Sequence, residues 1–353
     1  MDQDQKKVEC QEGSSSHAAA YLQFASQQFG AGTSAANGSY VRWIYEQNPF
    51  GGRWADSLMA VTSSGEVVGC MHAMRIPWRI ENESVVVPAN HNLIVAPEYR
   101  QGIGTRMVMQ ALRRHDLSII PSAVEPLGML YRRLGCVRVE SLWYRRVLRP
   151  LKVGWQLGVQ KLSGRNSSPC YFPVETPSTR LPSAHGAAWW TTAPTDPQLE
   201  QLADVFNADR TTTSGPEFSP EFLRWRFFHE LSPRHAVVWL EEDGRISDAV
   251  VLSLGPRHGF NVGRIVAAQA SGVDRFAALV KLAEHLIRRQ GGTLLFTFCA
   301  CPRLNQIYST MGWRPQANGP QTYLSSPRNC PPLAVSFNGE AIDIGFEALP
   351  SAA

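Results

Sequence analysis

The apolar positions of the chain follow one succession of periods, and that succession occurs twice. In the first half, a Gly-containing turn precedes the apolar segment 67–76, and apolar residues then recur at helical spacing over 103–112. In the second half, a similar turn precedes 246–254, and helical spacing runs over 276–287. In each half, a short apolar strand and a second helix follow the first helix. The pattern therefore predicts alternating strands and helices in both halves.

Local sequence landmarks repeat in the same order. Trp43 and Trp225 each follow an arginine and precede an aromatic residue and a proline, and they lie 182 residues apart. Tyr131 and Tyr308 each stand four residues before a glycine, and they lie 177 residues apart. Two landmarks with nearly equal offsets, each close to half the chain, predict a duplicated domain.

The length of 353 residues suits two domains, at roughly 100–200 residues per domain. Residues 151–187 contain several prolines, a Gly-Arg-Asn-Ser-Ser run and little periodicity, which is typical of a linker. We therefore predict an N-terminal domain over 1–150, a linker over 151–187, a C-terminal domain over 188–330 and a tail over 331–353.

The composition excludes several classes of protein. Hydrophobic residues make up 44% of the chain and charged residues 18%, which excludes disorder for most of it. The net charge of +4 is too small to argue by itself for nucleic acid. The N-terminus is polar, no apolar run reaches the length of a membrane span, and the seven cysteines are scattered without a zinc pattern. We expect a reduced, soluble, cytoplasmic protein that needs no metal.

One segment departs from this balanced charge. Residues 141–174 contain no acidic residue. The basic residues there are Arg145, Arg146, Arg149, Lys152, Lys161 and Arg165. The segment is either a solvated strand end and linker, or a surface for an anionic partner such as CoA phosphates, RNA or a membrane.

The junction between a predicted strand and a predicted helix carries the strongest chemical signal. It reads Val-Ala-Pro-Glu-Tyr-Arg-Gln-Gly-Ile-Gly-Thr over residues 95–105. The first turn of a helix has free backbone N–H groups, and glycines let a phosphate approach them. A dinucleotide fingerprint requires a third glycine where Met107 stands, and a Walker A motif is absent. The alternative is a glycine-capped junction that binds no ligand.

Together with Val-x-Pro upstream and Leu-Tyr-x-x-Leu-Gly downstream, this junction resembles the GNAT superfamily of acyl-CoA-dependent N-acyltransferases. The resemblance implies an α/β (α+β) fold of two tandem GNAT-like domains, each a mixed twisted sheet flanked by helices. It also implies that the strand pairs with the pantetheine arm of acyl-CoA and that the loop amides bind the pyrophosphate. The residues that match these two elements are Leu93, Ile94, Val95, Arg100, Gln101, Gly102, Ile103, Gly104 and Thr105. Arg100 lies two residues before Gly102, where the family usually has three.

The family resemblance also assigns a general acid. Tyr131 matches a tyrosine that, in many members, lies near the CoA sulfur and protonates the departing thiolate. The alternative is a tyrosine that packs against the sheet. The second half has Tyr308 in a similar sequence but lacks Gly-x-Gly at its helix entry, where Asp274 would repel a pyrophosphate. We therefore predict one acyl-CoA site, in the N-terminal half, and a degenerate C-terminal repeat.

A general base must take the proton of an attacking amine. His91 and Asn92 lie on the strand before the loop, where this family often carries the base, and an imidazole titrates near neutrality. Strand alternation predicts that Asn90 and Asn92 share one face and His91 faces the other. Glu98 and Glu125 are alternative bases, and a structural role remains open for His91.

Further side chains are candidates for the wall of an acceptor pocket. His72 lies on a neighbouring predicted strand, and Trp43, Tyr45 and Asn48 form an aromatic segment. The alternative for the aromatic residues is a helix that packs in the core.

These observations predict an N-acyltransferase in which an acceptor amine attacks an acyl-CoA, with acetyl-CoA as the expected donor. The expected acceptor is a small molecule or a peptide, and no metal is implied. One alternative is an aminoacyl-tRNA-dependent transferase of tandem GNAT fold, with tRNA as its partner. Another is a GNAT-like binding module without catalysis. Nucleic acid is not expected as a partner under the main hypothesis.

Overall fold

The computed structural model describes residues 7–30, 33–80, 83–163, 168–208, 214–232, 234–316 and 321–325. The helices are α1 (Ala18–Phe29), α2 (Gly38–Tyr45), α3 (Ile103–Arg114), α4 (Glu125–Arg133), α5 (Pro150–Ser163), α6 (Asp196–Asn207), α7 (Pro220–Phe228), α8 (Val273–Arg289) and α9 (Pro302–Thr310). The strands are β1 (Val8–Glu12), β2 (Leu58–Thr62), β3 (Val67–Ile80), β4 (Glu83–Val95), β5 (Ser118–Ala123), β6 (Val137–Arg138), β7 (Leu142–Val147), β8 (Thr179–Leu181), β9 (Ala187–Thr191), β10 (Gly215–Pro216), β11 (His235–Glu242), β12 (Arg245–Arg257), β13 (Phe260–Gln269), β14 (Leu294–Cys299), β15 (Arg314–Gln316) and β16 (Gln321–Ser325).

The first of two compact units comprises the residues up to 78, residues 84–139 and strand β16. Its strands follow the order β1-β2-β3-β4-β5-β16-β6. Strand β4 runs parallel to β5, and α3 forms the crossover between them. The apolar stripe of α3 is buried at Ile103, Met107, Val108 and Ala111, as its helical spacing predicts.

Within the described part of the chain, the second unit comprises residues 79–83 and 140–319. Its strands follow the order β15-β7-β14-β13-β12-β11-β9-β8. Strands β13 and β14 are parallel and are joined through α8, so the crossover of the first unit recurs. Asp243 and Gly244 both have positive φ, as the two-residue turn between β11 and β12 requires. Each unit is thus a mixed sheet flanked by helices, and the predicted fold class is confirmed.

The last strand of each sequence repeat belongs to the other repeat's sheet. Strand β7 follows the first repeat in the chain, yet it pairs with β14 and β15 of the second unit. Strand β16 follows the second repeat, yet it pairs with β5 and β6 of the first unit. Because β16 lies between β5 and β6, the first sheet is incomplete without residues from the end of the chain. The first unit gives way to the second after residue 139, whereas the sequence pattern predicts the end of the first domain at 150.

The predicted linker over 151–187 contains regular structure. Most of α5 lies in it, and β8 within it pairs with β9 of the second sheet. The predicted tail over 331–353 lies outside the described residues. None of the helices described here is long and apolar enough to cross a bilayer.

Candidate active site

Strand β4 contains a local irregularity in the middle of the predicted site. Asn92 has φ 52°, a left-handed conformation that is uncommon for residues other than glycine. Its side-chain Nδ2 donates to the Tyr40 hydroxyl at 3.5 Å, and the same hydroxyl is hydrogen-bonded to Nε2 of His91 at 3.2 Å. The predicted alternation, with Asn92 on the face opposite His91, is therefore wrong. One left-handed residue resets the alternation, so both side chains reach Tyr40.

Strands β4 and β5 are joined over a very short length. Within the described residues, their pairing is confined to Ala89 and Ile119. In the second unit, the equivalent strands β13 and β14 pair over four consecutive positions, from Val262 with Leu294 to Ile265 with Thr297. The C-terminal end of β4 therefore has backbone groups that β5 does not engage. An extended amide chain is chemically suited to such a strand edge, because it can continue the ladder.

The chain passes from β4 to α3 through a tight turn. Gly102 caps α3 with φ 83°, a conformation that glycine adopts without steric cost. The first backbone bond of the helix runs from the Arg106 N–H to the Gly102 carbonyl at 3.0 Å. The N–H groups of Ile103, Gly104 and Thr105 precede that bond and have no acceptor among the described residues. The helix thus begins with three adjacent donors and the positive end of its dipole.

Gly104 has a different role from Gly102. A Cβ added at Gly104 would lie 3.8 Å from Val95 Cγ2, which is an ordinary contact. The fold therefore does not require glycine there. The first turn of α3 contains no acidic residue, so nothing on that turn repels an anion.

The arginine of the motif points back to the strand. Arg100 Nε donates to the Val95 carbonyl at 3.1 Å, and the Gly102 N–H donates to the Arg100 carbonyl at 2.7 Å. A turn of 3-10 helix over Pro97–Tyr99 precedes them. Arg100 thus closes the turn that leads into α3, and Gln101 lies exposed beside it.

Tyr131 lies on α4 and is only 2% exposed. Its ring packs against that of Tyr323 on β16, with 5.7 Å between the ring centroids. The described residues provide no hydrogen-bond partner for its hydroxyl, and no contact joins it to His91 or Asn92. Burial raises the pKa of Tyr131, so the phenol stays protonated near neutral pH. Tyr131 is therefore a buried, neutral phenol whose hydroxyl has no partner among the described residues.

His91 belongs to a cluster of buried rings. Its Nδ1 is 3.0 Å from the Ala89 carbonyl, and its ring stacks on His72 with 5.7 Å between centroids. His72 shares a hydrogen bond with the Tyr45 hydroxyl through Nδ1, whereas its buried Nε2 has no partner among the described residues. Burial lowers the pKa of His72, and the neighbouring His91 lowers it further. His72 is therefore neutral near neutral pH, and its Nε2 is a buried polar atom that no described residue satisfies.

The alternative bases lie elsewhere. Glu98 is exposed in the turn before α3, and Glu125 is exposed and forms an ion pair with Arg132 at 3.1 Å. Of the predicted pocket residues, Tyr45 joins the histidine cluster, whereas Asn48 Nδ2 donates to the Arg75 carbonyl at 2.9 Å. Trp43 is fully buried on α2, as its packing hypothesis predicts.

Tyr40 was not anticipated as part of the site. It is buried on α2 and contacts both His91 and Asn92. The sequence offers only an aromatic residue in a short apolar helix, which is usual for a core position. Its link to residues about fifty positions later is a tertiary contact that no local pattern contains.

The entry of α8 in the second unit contains its own anion. The fully buried carboxylate of Asp248 accepts the Ser271 N–H at 2.7 Å and the Ser271 hydroxyl at 2.9 Å, and it forms an ion pair with Arg275. Burial raises the pKa of Asp248, but the Arg275 guanidinium and the Ser271 N–H outweigh burial and hold that pKa below its ordinary value. Asp274 adds a second acid in the first turn of α8. This entry therefore lacks the glycine pair and already holds the carboxylates of Asp248 and Asp274.

No protein-family model matches the sequence. No curated protein matches it either. Solved structures do match it over most of its length.

The N-myristoyltransferase of Saccharomyces cerevisiae with bound myristoyl-CoA is 11% identical, with a TM-score of 0.61 over 90% of this chain and 82% of that one. A GCN5-related N-acetyltransferase from Anabaena variabilis is 9% identical, with a TM-score of 0.55 over 90% of this chain and 72% of that one. Another GCN5-related N-acetyltransferase, from Kribbella flavida, is 16% identical, with a TM-score of 0.51 over 90% of this chain and 70% of that one. At such low identity the similarity establishes the fold: this chain has the tandem GNAT-like fold of N-myristoyltransferase type.

Proposed function

We propose that the protein is an acyl-CoA-dependent N-acyltransferase with a single acyl-CoA site in the first unit. The observation that carries this proposal is the open end of β4 beside the unsatisfied amides of α3. Pantetheine is an extended chain with two amides, so it can pair with the strand edge around Leu93, Ile94 and Val95. A pyrophosphate suits the N–H groups of Ile103 to Thr105, since they point the same way as the helix dipole.

Tyr131 would supply the proton for the leaving group. In the proposed reaction, the acceptor nitrogen bonds to the thioester carbonyl carbon and the carbon–sulfur bond breaks. The thiolate then takes the phenolic proton of Tyr131, whose burial keeps it protonated. Backbone donors next to the thioester would stabilise the tetrahedral oxyanion.

The histidine cluster would form the acceptor side of the site. His91 and Asn92 both contact Tyr40, so the acceptor amine would meet an imidazole, an amide and a phenol on one face of β4. We assign His91 the role of taking the amine proton, directly or through a water molecule, because neutral imidazole accepts a proton near neutral pH. Asn92 would orient the acceptor.

Acetyl-CoA is the donor we propose, and a small molecule or a peptide is the proposed acceptor. The structural neighbours include both N-acetyltransferases and an enzyme with bound myristoyl-CoA, so acyl length is the first variable to test. An aminoacyl-tRNA donor has no pyrophosphate next to the reacting ester, so the α3 entry would serve no purpose in that reaction.

A thermal-shift series on the full chain tests the proposal. The ligands are CoA, acetyl-CoA, myristoyl-CoA and an aminoacyl-tRNA. A ligand present at about 100 times its Kd adds about 2.7 kcal/mol to the free energy of unfolding. We expect CoA and acetyl-CoA to stabilise the protein and the tRNA to have no effect. Stabilisation by aminoacyl-tRNA alone would contradict the proposal. Stabilisation by acyl-CoA without release of free CoA, across a panel of amines and N-terminal peptides, would favour a binding module.

A further inference from the structure

Helix α5 exposes its largest apolar side chains to solvent. Leu151 is 91% exposed and Trp155 is 75% exposed, and Leu157 is also exposed. A tryptophan normally buries most of its large ring, so such exposure on a regular helix is unusual. The free energy of apolar burial therefore does not explain why Leu151 and Trp155 point away from the protein.

The exposed and half-buried positions of α5 lie on opposite sides of the helix. At 3.6 residues per turn, Leu151, Trp155 and Gly158 share one side. Val153 and Gln156 lie on the other side and are half-buried. The helix is thus held to its unit by one face and presents the other outward. A Cβ added at Gly158 would meet nothing within 4 Å, so the outward face is open.

Two lysines flank the outward face. Lys152 and Lys161 are exposed and lie about 90° to either side of it, at 3.6 residues per turn. Nearby arginines are directed to the protein instead: Arg146 forms an ion pair with Glu284, and Arg149 donates to the Arg288 carbonyl. Residues 141–174 contain no acid, so the segment that carries this face contributes only positive charge to it.

We propose that the outward face of α5 binds the surface of an anionic lipid bilayer. The helix would lie parallel to the surface, with Leu151 and Trp155 at the boundary of headgroups and acyl chains. Lys152 and Lys161 would reach the lipid phosphates on either side. This arrangement of apolar centre and basic flanks is that of an interfacial helix, and tryptophan favours this depth. An RNA surface would not account for the aliphatic Leu151, and the basic flanks favour an anionic surface over a second copy of this basic chain.

Vesicle flotation of the full chain tests the inference. We expect binding to vesicles of phosphatidylcholine with about 30% phosphatidylserine, weaker binding to pure phosphatidylcholine, and a loss of affinity at high salt. The double variant Leu151→Ser/Trp155→Ser should bind at least about tenfold more weakly, since it removes the apolar side chains that would enter the bilayer. The double variant Lys152→Ser/Lys161→Ser should lose the preference for phosphatidylserine.

Matched controls separate the loss of the exposed α5 side chains from a general loss of folding. Val273→Ser removes another exposed apolar side chain of the second unit and should leave vesicle binding unchanged. Circular dichroism and thermal melting should match the wild type for all variants, because the altered side chains are exposed. A blue shift in tryptophan emission on vesicle binding that is lost in Trp155→Phe would place Trp155 in the lipid.

Four outcomes would overturn the inference. The first is no binding of the wild type to vesicles that contain phosphatidylserine. The second is equal binding by the Leu151→Ser/Trp155→Ser variant. The third is sedimentation showing a dimer that this variant abolishes. The fourth is displacement from vesicles by RNA that competes through Trp155. Either of the last two would assign the face to another partner.

Discussion

The entries of helices α3 and α8 are equivalent in topology and opposite in chemistry. At α3, Gly102 and Gly104 leave three adjacent N–H groups without acceptors and without an acid in the first turn. At α8, the buried carboxylate of Asp248 binds the chain just before the helix, and Asp274 follows in the first turn. One entry can accept an anion, whereas the other already contains one.

The neighbouring strands show the same contrast. Strands β4 and β5 are paired at one position within the described residues, and β13 and β14 are paired at four. The tyrosines differ too: each packs on one tyrosine of its unit, but Tyr308 also packs against Phe276 and Trp313. A duplicated fold can thus keep its topology while only one copy keeps the groups that the proposed function assigns to the ligand.

The largest expected effect separates the two tyrosines. Tyr131→Phe should lower kcat by roughly 10²–10⁴-fold, which is the usual contribution of a general acid, with little change in the Kd for acyl-CoA. Tyr308→Phe should leave kcat unchanged. Steady-state kinetics and equilibrium binding on both variants measure the difference. An unchanged kcat in Tyr131→Phe would return this residue to a packing role.

A negative charge added at the start of α3 should weaken acyl-CoA binding, whereas the same charge at the start of α8 should not. Gly104→Glu should weaken acyl-CoA binding about 100-fold or more, because a carboxylate would lie beside the pyrophosphate. The helix itself should tolerate the change, since an acid in the first turn complements the dipole. Gly104→Ala is the steric control and should keep its affinity within a few-fold. Gly272→Glu places the same charge at α8 and should have no effect on affinity, as measured by fluorescence titration.

Removing the internal anion should affect stability and leave binding unchanged. Asp248→Asn should lower the free energy of unfolding by about 1.5–3 kcal/mol at pH 7, because it weakens hydrogen bonds to a charged group. Since the folded pKa of Asp248 is depressed, its contribution is present above the unfolded pKa of about 3.8 and is lost as pH falls through the folded pKa. The difference between variant and wild type should therefore shrink below about pH 4. Urea titrations of the variant and the wild type at pH 7 and below about pH 4 measure this difference. A change in acyl-CoA affinity would contradict the expectation that binding stays unchanged.

The smallest expected difference concerns backbone conformation at the two caps. Gly102→Ala should lower the free energy of unfolding by about 1–2 kcal/mol, since φ is 83° there. Gly272→Ala should cost nothing or stabilise slightly, because its φ of −155° suits any residue. Thermal melts of the two variants give the comparison. Equal losses in both would mean that the Gly102 turn is not left-handed in solution.

Local patterns predicted the elements that carry the site. The helical spacing predicted α3 and α8, and the glycines at 135 and 312 have the positive φ expected at the ends of the helices that precede them. The exchange of β7 and β16 was not predictable. Tyr144 and Tyr323 occupy equivalent positions 179 residues apart, and each packs on the tyrosine of an α-helix in its unit. Either strand therefore suits either sheet by its local pattern.

Features that depend on tertiary contacts also escaped prediction. The left-handed Asn92 breaks an alternation that its own sequence supports, and its contact with Tyr40 joins residues 52 positions apart. Asp248 begins an apolar strand segment without any local sign that it would bind the start of α8. Helix α5 contains two glycines and lacks an amphipathic pattern directed at a core, so its sequence favours a linker over a helix.

The central claim is that one unit binds acyl-CoA and the other does not. Isothermal titration of the full chain with acetyl-CoA tests it most directly, with CoA as a second titrant. We predict one site per chain, which Gly104→Glu removes and Gly272→Glu preserves. Two equivalent sites per chain, or a single site that survives Gly104→Glu, would contradict the account.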